Sequence, residues 1–279
     1  MAFSILNNIA GLNAQNQLTL NSVNLNRTLL RLSSGKRINS GADDPAGLGI
    51  ADSLRANVRA LDQAVRNAND GISVAQIADG ALQEISNLLT RGFTLAEEAA
   101  TDTVDSTGRA SLNAELTSIK NEIDRIAAQT NYNGVMLFSA SGLNGTLNVY
   151  VGDTAVASTI SLTVAVITTT NVGGTDISGT DLSTQSGATS AIGTLKSALR
   201  GISSARADVG AGMNRLQSAV AVLQNTAQNT LAAESGIRDA NMAEEIANLT
   251  KYQILAQSGI AALSQANASA QSVLALLKQ

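Results

Sequence analysis

Apolar and small residues recur in alternating steps of four and three from Ile5 through Ile9, Leu12, Asn16, Thr19, Val23, Asn26 and Leu30, with Leu18, Leu25, Leu29 and Leu32 alongside. That period is helical. Several of these seam positions are Asn or Thr, so the predicted helix buries its face poorly alone and needs another chain to complete it. Ser33-Ser34-Gly35 followed by Lys36 and Arg37 reads as a stop signal, with glycine as a left-handed terminator and the cations facing the negative helix end.

Residues 36–44 form a polar connector, and Asp43-Asp44-Pro45 then supplies an N-cap carboxylate with proline at the first helical position. The seam that follows runs through Leu54, Val58, Leu61, Val65, Ala68, Ile72, Ala75, Ala78, Leu82, Ile85 and Leu89 and fades near Glu98. It predicts a helix roughly 70–80 Å long. A polar turn at 101–108 precedes another seam, Leu112, Leu116, Ile119, Ile123 and Ile126, placing a helix from about Arg109 to Gln129 that packs antiparallel to the first. The period then changes. Asn133-Gly134 and Asn144-Gly145 are tight-turn dipeptides, while Thr146–Val151 and Thr159–Thr170 are rich in β-branched residues. Residues 132 to about 185 therefore read as short hairpins.

The helical signal returns from Ile192 through Leu195, Leu199, Ile202, Arg206, Val209, Met213, Leu216, Val220, Leu223 and Ala227. After a gap near Gly236 it resumes with Met242, Ile246, Leu249, Gln253, Ala256, Ile260, Leu263, Asn267, Ala270, Leu274 and Leu277. The expected fold is mainly α: a long antiparallel helical rod or coiled coil, folded back so that both ends pair, with a small β-hairpin region in the middle of the chain.

Composition narrows the function. Aromatic residues make up 2% of the 279 positions and there is a single proline, so the core must be built of Ala, Leu, Ile and Val on nearly uninterrupted helices. With no Cys and no His, disulfides, thiolate nucleophiles, Cys/His zinc sites and Ser-His-Asp triads are excluded. A net charge of −4 from 18 basic and 22 acidic residues is too balanced for a nucleic-acid footprint. No apolar run reaches a membrane-spanning length, and no Lys or Arg precedes Arg27, so the start carries no secretory n-region.

Three adjacent carboxylate pairs, Asp43-Asp44, Glu97-Glu98 and Glu244-Glu245, are the nearest approach to acid–base chemistry. Helical neighbours point about 100° apart, so these read as caps and solvated faces. Gly47-Leu48-Gly49 has no preceding strand and no Walker lysine, and so offers no phosphate cradle. The expectation is a non-enzyme without cofactor or metal. Sparse charge on the outward faces, with Asn, Gln, Thr and Ala in the terminal seams, points to self-association.

The run from Leu32 to Ala51, LSSGKRINSGADDPAGLGIA, with Met1–Ile9 and the stretch from Arg238 to Leu277, closely resembles bacterial flagellin over roughly 1–138 and 188–279. The resemblance implies an extracellular flagellar filament subunit, exported unfolded through the flagellar type III apparatus. Its terminal helices would form an inner tube, domain D0, inside a helical layer with hairpins, domain D1. It assigns 1–44 to the D0 helix and connector, 45–187 to the D1 N-terminal helices and hairpins, 188–235 to the D1 C-terminal helix and 236–279 to the C-terminal D0 helix. Only about fifty residues separate the two arms, so the outer domains D2 and D3 common in flagellins are expected to be missing. Ile5, Leu6, Ile9, Leu12, Ile246, Leu249, Ile260, Leu263, Leu274 and Leu277 are the expected inner-tube contacts. The terminal helices are expected to be largely disordered until copies assemble.

The implied partners are further copies of the chain, an export chaperone, and the cap and hook-junction proteins, with no nucleic acid and no membrane insertion. Host Toll-like receptor 5 is a further implied partner, because Arg91, Leu95 and Glu115 fall at positions resembling its contact residues. Gly92, Phe93 and Thr94 depart from the receptor-active pattern, which usually has Val, Arg and Glu there. Alternatives are the hook-filament junction protein, which shares the SGKR and DDPAG elements, and an exported helical effector or adhesin.

Overall fold

The structure, a computed structural model, describes residues 8–139, 142–143, 145–152 and 159–277, with side chains through Ser269. The chain is mainly helical, with α1 (Ile9–Ser34), α2 (Pro45–Ala99), α3 (Ser106–Gln129), α4 (Gln185–Arg238) and α5 (Met242–Leu277). Between α3 and α4 lie two antiparallel strand pairs, β1 (Asn131–Tyr132) with β2 (Val135–Met136) and β3 (Thr146–Tyr150) with β4 (Thr159–Thr163). The chain divides into two compact units, Met1–Ala56 with Asn229–Gln279, and Asn57–Gln228.

In the first unit α1 runs antiparallel to α5. Asn8 lies beside Ala266 and Asn267, Asn21 beside Tyr252 and Arg31 beside Glu245. The α1 helix opens on Asn8, whose side chain accepts from Gly11 N at 2.9 Å, and ends at Gly35 in the left-handed region with φ 69°. The cation after that cap serves a different helix from the one expected: Arg37 Nη2 donates to the Ile237 carbonyl in the last turn of α4 at 2.7 Å. The main chain is clasped there as well, with Arg37 N donating to Arg238 O at 2.7 Å and Ala240 N to Gly35 O at 2.9 Å. That clasp, not Gly236, marks the helix break. Gly236 lies inside α4, α4 runs on to Arg238, and Asn241 opens the next helix by accepting from Ala243 N at 3.2 Å.

The connector is held by its own aspartates. The Asp43 carboxylate accepts from the main-chain N–H groups of Asn39 and Ser40 at 3.2 and 3.1 Å, and Asp44 Oδ1 caps α2 through Gly47 N at 2.9 Å. Proline 45 follows as the first residue of α2, where its missing N–H costs nothing.

The second unit is a helical bundle in which α2 runs antiparallel to α3 and to α4. Arg91 on α2 pairs with Glu115 on α3, and Arg206 on α4 pairs with Asp79 on α2 at 2.8 Å. Its core comprises Leu82, Ile85 and Leu89 from α2, Leu116 and Ile123 from α3, and Leu195, Ile202 and Val209 from α4. The helix expected from Arg109 begins three residues earlier. Asp105 caps it through Gly108 N at 2.7 Å, and its first turn is too polar to carry an apolar period.

Asn133 and Gly134 both have positive φ, 50° and 81°, and close β1–β2 as a two-residue turn. The second tight-turn expectation is corrected in part. Asn144 lies outside the described residues, and Gly145, at φ 79°, does not close a hairpin; its carbonyl accepts from Val164 N at 3.0 Å and extends the β3–β4 ladder. That hairpin packs Val149 and Leu162 inward. The β-branched run after Thr163 is irregular chain, not strand. Ile167, Val172, Ile177 and Leu182 plug it into the core, and Asp124 anchors it by accepting from Thr169 N at 2.8 Å. Lys120 Nζ donates to the carbonyls of Ser178 and Thr180 at 3.2 and 3.0 Å.

Candidate functional site

The helix α1 carries two seams. The one facing α5 is mostly small or polar, with Leu18 and Leu25 as its two large aliphatic members: Asn8, Gly11, Ala14, Leu18, Asn21, Leu25, Thr28 and Arg31, of which Gly11, Asn21 and Thr28 are buried. The seam that the apolar period picks out, Ile9, Leu12, Asn16, Thr19, Val23, Asn26 and Leu30, is exposed at every position. On α5 the predicted seam is divided, with Leu249, Ala256 and Leu263 covered and Met242, Ile246, Gln253 and Ile260 exposed. The covered positions of that helix are Glu245, Asn248, Leu249, Tyr252, Ala256, Gly259, Leu263 and Ala266, whereas Ile246, Ile254, Leu255 and Ile260 face outward.

Four expected inner-tube residues are therefore on the surface: Ile9 61% exposed, Leu12 54%, Ile246 52% and Ile260 59%. Leu249 and Leu263 are half-buried on the face of α5 toward α1. Ile5 and Leu6 lie outside the described residues; Leu274 and Leu277 fall within α5, with side chains outside the described set. Large aliphatic side chains exposed in register along a helix mark an interaction surface when they form a continuous strip. The intramolecular contact leaves this strip uncovered because α1 and α5 pair through another face, where Gly11, Asn21 and Thr28 lie with Leu18, Leu25, Leu249 and Leu263.

Of the three residues singled out for a receptor, Arg91 and Glu115 stand together on the surface, Arg91 Nη2 to Glu115 Oε1 at 2.8 Å with the side chains 57% and 43% exposed. Leu95 is fully buried in the core of the second unit and presents no surface to a partner.

Nothing assembles into a catalytic constellation among the described residues. Asp43 and Asp44 are occupied as caps, Glu97 and Glu98 are exposed, and Glu244 points to solvent while Glu245 is buried against Arg31. No group of three or more Asp, Glu, His or Cys side chains could hold a metal among them, and none of their helices is long and apolar enough to cross a membrane. A cleft of about 420 Å3 between α2 and the two hairpins is lined by Val74, Tyr132, Leu147, Val149 and Tyr150, with Asp70 as its one carboxylate.

Paired terminal helices with an apolar outer strip, joined to a helical and hairpin unit, define a structural subunit built to polymerise. The chain matches the bacterial flagellin N-terminal helical region over residues 5–142 and the bacterial flagellin C-terminal helical region over 192–277. It is 34% identical to flagellin FlaB1 of Treponema pallidum over 98% of this chain and 99% of the relative. It is 36% identical to a flagellin of Halalkalibacterium halodurans, and 35% to the flagellar filament 33 kDa core protein of Treponema phagedenis, each over 98% of this chain and 99% of the relative. Among solved structures, Bacillus cereus flagellin superposes with a TM-score of 0.51 at 31% identity, over 61% of this chain and 94% of that one.

The chain belongs to the bacterial flagellins. It is a structural subunit that polymerises with copies of itself into the extracellular flagellar filament that drives swimming, and these whole-length matches favour that role over the hook-filament junction protein. Its flagellin relatives are structural proteins.

Proposed function

We propose that the outward strip formed by Ile9, Leu12, Val23 and Leu30 on α1, with Ile246 and Ile260 on α5, is the surface through which copies stack into the inner tube of the filament. Ile5, Leu6, Leu274 and Leu277 extend it toward the ends of the chain, and Leu249 and Leu263 hold α5 against α1. The observation that carries this reading is the outward strip itself: Ile9, Leu12, Val23, Leu30, Ile246 and Ile260 are exposed, while α1 and α5 pair through a different face. Each strip residue fully covered by a neighbour contributes about 1.5–3 kcal/mol. Head-to-tail contacts of this kind propagate an open helix rather than closing a ring. The isolated chain loses that contribution, so its α1–α5 pair opens readily until neighbours supply it.

Two residues test the reading. Leu12→Asn with Ile260→Asn should abolish filaments in electron micrographs while leaving the melting of the second unit unchanged; normal filaments from this variant would overturn the assignment. Deleting residues 1–30 or 250–279 should likewise leave a soluble, partly folded chain that does not polymerise.

The two compact units correspond in this proposal to the inner D0 and surrounding D1 layers, with no outer domain, so the filament is thin. The chain has no catalytic activity and no cofactor. Its other partners are an export chaperone, the cap and the hook-junction proteins. Arg91 and Glu115 form the surface offered to Toll-like receptor 5, with Leu95 supporting it from below; their exposure supports this, and a receptor reporter assay on Arg91→Ala monomer tests it.

A further inference from the structure

The α1–α5 pair contains a buried charge that is poorly served. Glu245 is 7% exposed and meets Arg31 through a single contact, Nη1 to Oε1 at 3.4 Å. Glu245 Oε2 and Arg31 Nε are both buried without a partner. The Arg31 side chain stays 32% exposed, and a buried carboxylate held by one long contact with unsatisfied polar atoms beside it is a weak source of stability next to apolar side chains of the same volume, so cohesion does not account for its presence. Position does.

Arg27 and Arg31 are the only charged residues of α1, and Glu244 and Glu245 the only acids of α5. A slip of one heptad, about 10 Å along the axis, brings the same helix faces together again and is the error that an apolar pattern alone does not forbid. Such a slip sets Glu245 against Asn24 and Leu25 in one direction, and past the end of α1 at Ser34 in the other. The remaining polar contact in mid-seam carries no such information. Asn21 donates to the Tyr252 carbonyl at 2.9 Å, and a carbonyl recurs on every turn. Gly259 reinforces the native setting, since it receives Leu18 where a Cβ would stand 3.3 Å from Leu18 Cδ1. Heptad slips replace it opposite Leu18 with Tyr252 or Ala266.

We infer that Arg31 and Glu245 act as a register key: positioning residues that admit one axial offset between α1 and α5, at a cost in stability. The consequence for the filament, that the two outward strips are presented in one alignment, rests on the assembly reading above; the key itself does not.

The chain has no cysteine, so introduced pairs report the register without interference. A Cβ at Gly259 would lie 4.0 Å from Leu18 Cβ, within the disulfide range of about 3.5–4.5 Å. Leu18→Cys with Gly259→Cys reports the native offset, and Leu18→Cys with Tyr252→Cys or Ala266→Cys reports the two slips. Full-length protein is oxidised mildly, both as monomer and after seeding with filament fragments, and the crosslinked fractions are compared.

The expected preference for the 18–259 pair is about tenfold or more, falling at least about threefold in an Arg31→Met, Glu245→Leu background while the melting temperature of the terminal helices rises. The charge swap Arg31→Glu with Glu245→Arg should restore the preference, which a residue acting by packing alone would not do. An unchanged preference in the apolar background, or none in the native chain, overturns the key. Native chains that crosslink at 18–259 but never polymerise would overturn the assembly reading and leave the key standing.

Discussion

Two glycines on α4 should respond to the same substitution with opposite signs. Gly193 has nothing within 4 Å of the position a Cβ would take. Replacing it with alanine adds only the helix-propensity difference, up to about 1 kcal/mol in favour of the folded state. At Gly201 a Cβ would collide with the carbonyl of Gly173 and lie 2.6 Å from its carbon. The obstacle is backbone, in a loop whose Gly173 is itself left-handed at φ 58°, so no side chain can rotate out of the way. The loop must lift, and with it the buried neighbour Val172.

Overpacking of this kind costs about 1–3 kcal/mol, against which the propensity gain offsets at most about 1 kcal/mol. The second unit spans Asn57–Gln228, and for a domain of this size each kcal/mol moves the melting temperature by about 2–4 °C. Gly193→Ala should therefore melt up to about 4 °C higher, and Gly201→Ala lower, by up to about 8 °C once the full propensity gain is taken off. Differential scanning calorimetry of the full chain, well below polymerising concentration, reads both. A Gly201→Ala protein that melts above the parent, as Gly193→Ala does, would refute the close approach as a constraint on the fold.

Other outcomes follow from single contacts. Leu95→Ala should open a cavity in the second unit costing about 2–5 kcal/mol, visible as a lower melting temperature even where receptor signalling is unaffected. Asp44→Ala removes the cap at the start of α2 and should cost about 1 kcal/mol, read as faster hydrogen exchange at Gly47. The Asp43 carboxyl is held below its ordinary value chiefly by the Ser40 main-chain N–H, then by Asn39 and the Ser40 hydroxyl, against an opposing effect of burial. Because the folded value is the depressed one, this stabilisation is full above the ordinary carboxylate pKa of about 4 and is lost as pH falls through the lower folded value. The amide resonances of Asn39 and Ser40 should titrate there, and a midpoint at or above that of a free aspartate would contradict the hydrogen bonding. Filaments should show no density outside the layer formed by the second unit, measured as outer diameter in micrographs.

The helices were legible because each carries a 3.6-residue apolar period long enough to outweigh local noise, and Asp44-Pro45 and Gly35 punctuate them in the expected way. The face of α1 that meets α5 was not. Gly11, Asn21 and Thr28 contribute little to any hydrophobic count, so the period locked onto Ile9, Leu12 and Val23, which point the other way. The apolar period on α1 therefore marks the face that the α1–α5 pairing leaves free, whereas on α5 it marks both, since Leu249 and Leu263 turn toward α1. The apolar period lapses near Gly236, yet the helix break is set by the clasp between Gly35–Arg37 and Arg238–Ala240, a tertiary contact some two hundred positions apart in the chain. Leu95 enters the receptor set through the family resemblance alone, and no local pattern in the sequence separates it from exposed Arg91 one turn earlier; only the packing of the bundle buries it.

The clasp at Gly35–Arg37 and Arg238–Ala240 also decides how the terminal pair responds to mechanical load. Asn8 and Asn267 sit side by side at the far end from it, so tension drawing those two points apart peels α1 from α5 rung by rung instead of shearing all rungs together. Peeling breaks only one or two side-chain contacts at a time and so takes little force, and the fracture runs until it reaches the two crossed main-chain hydrogen bonds, where it stops. A pulling experiment between positions 8 and 267 should record a low plateau followed by one sharp peak.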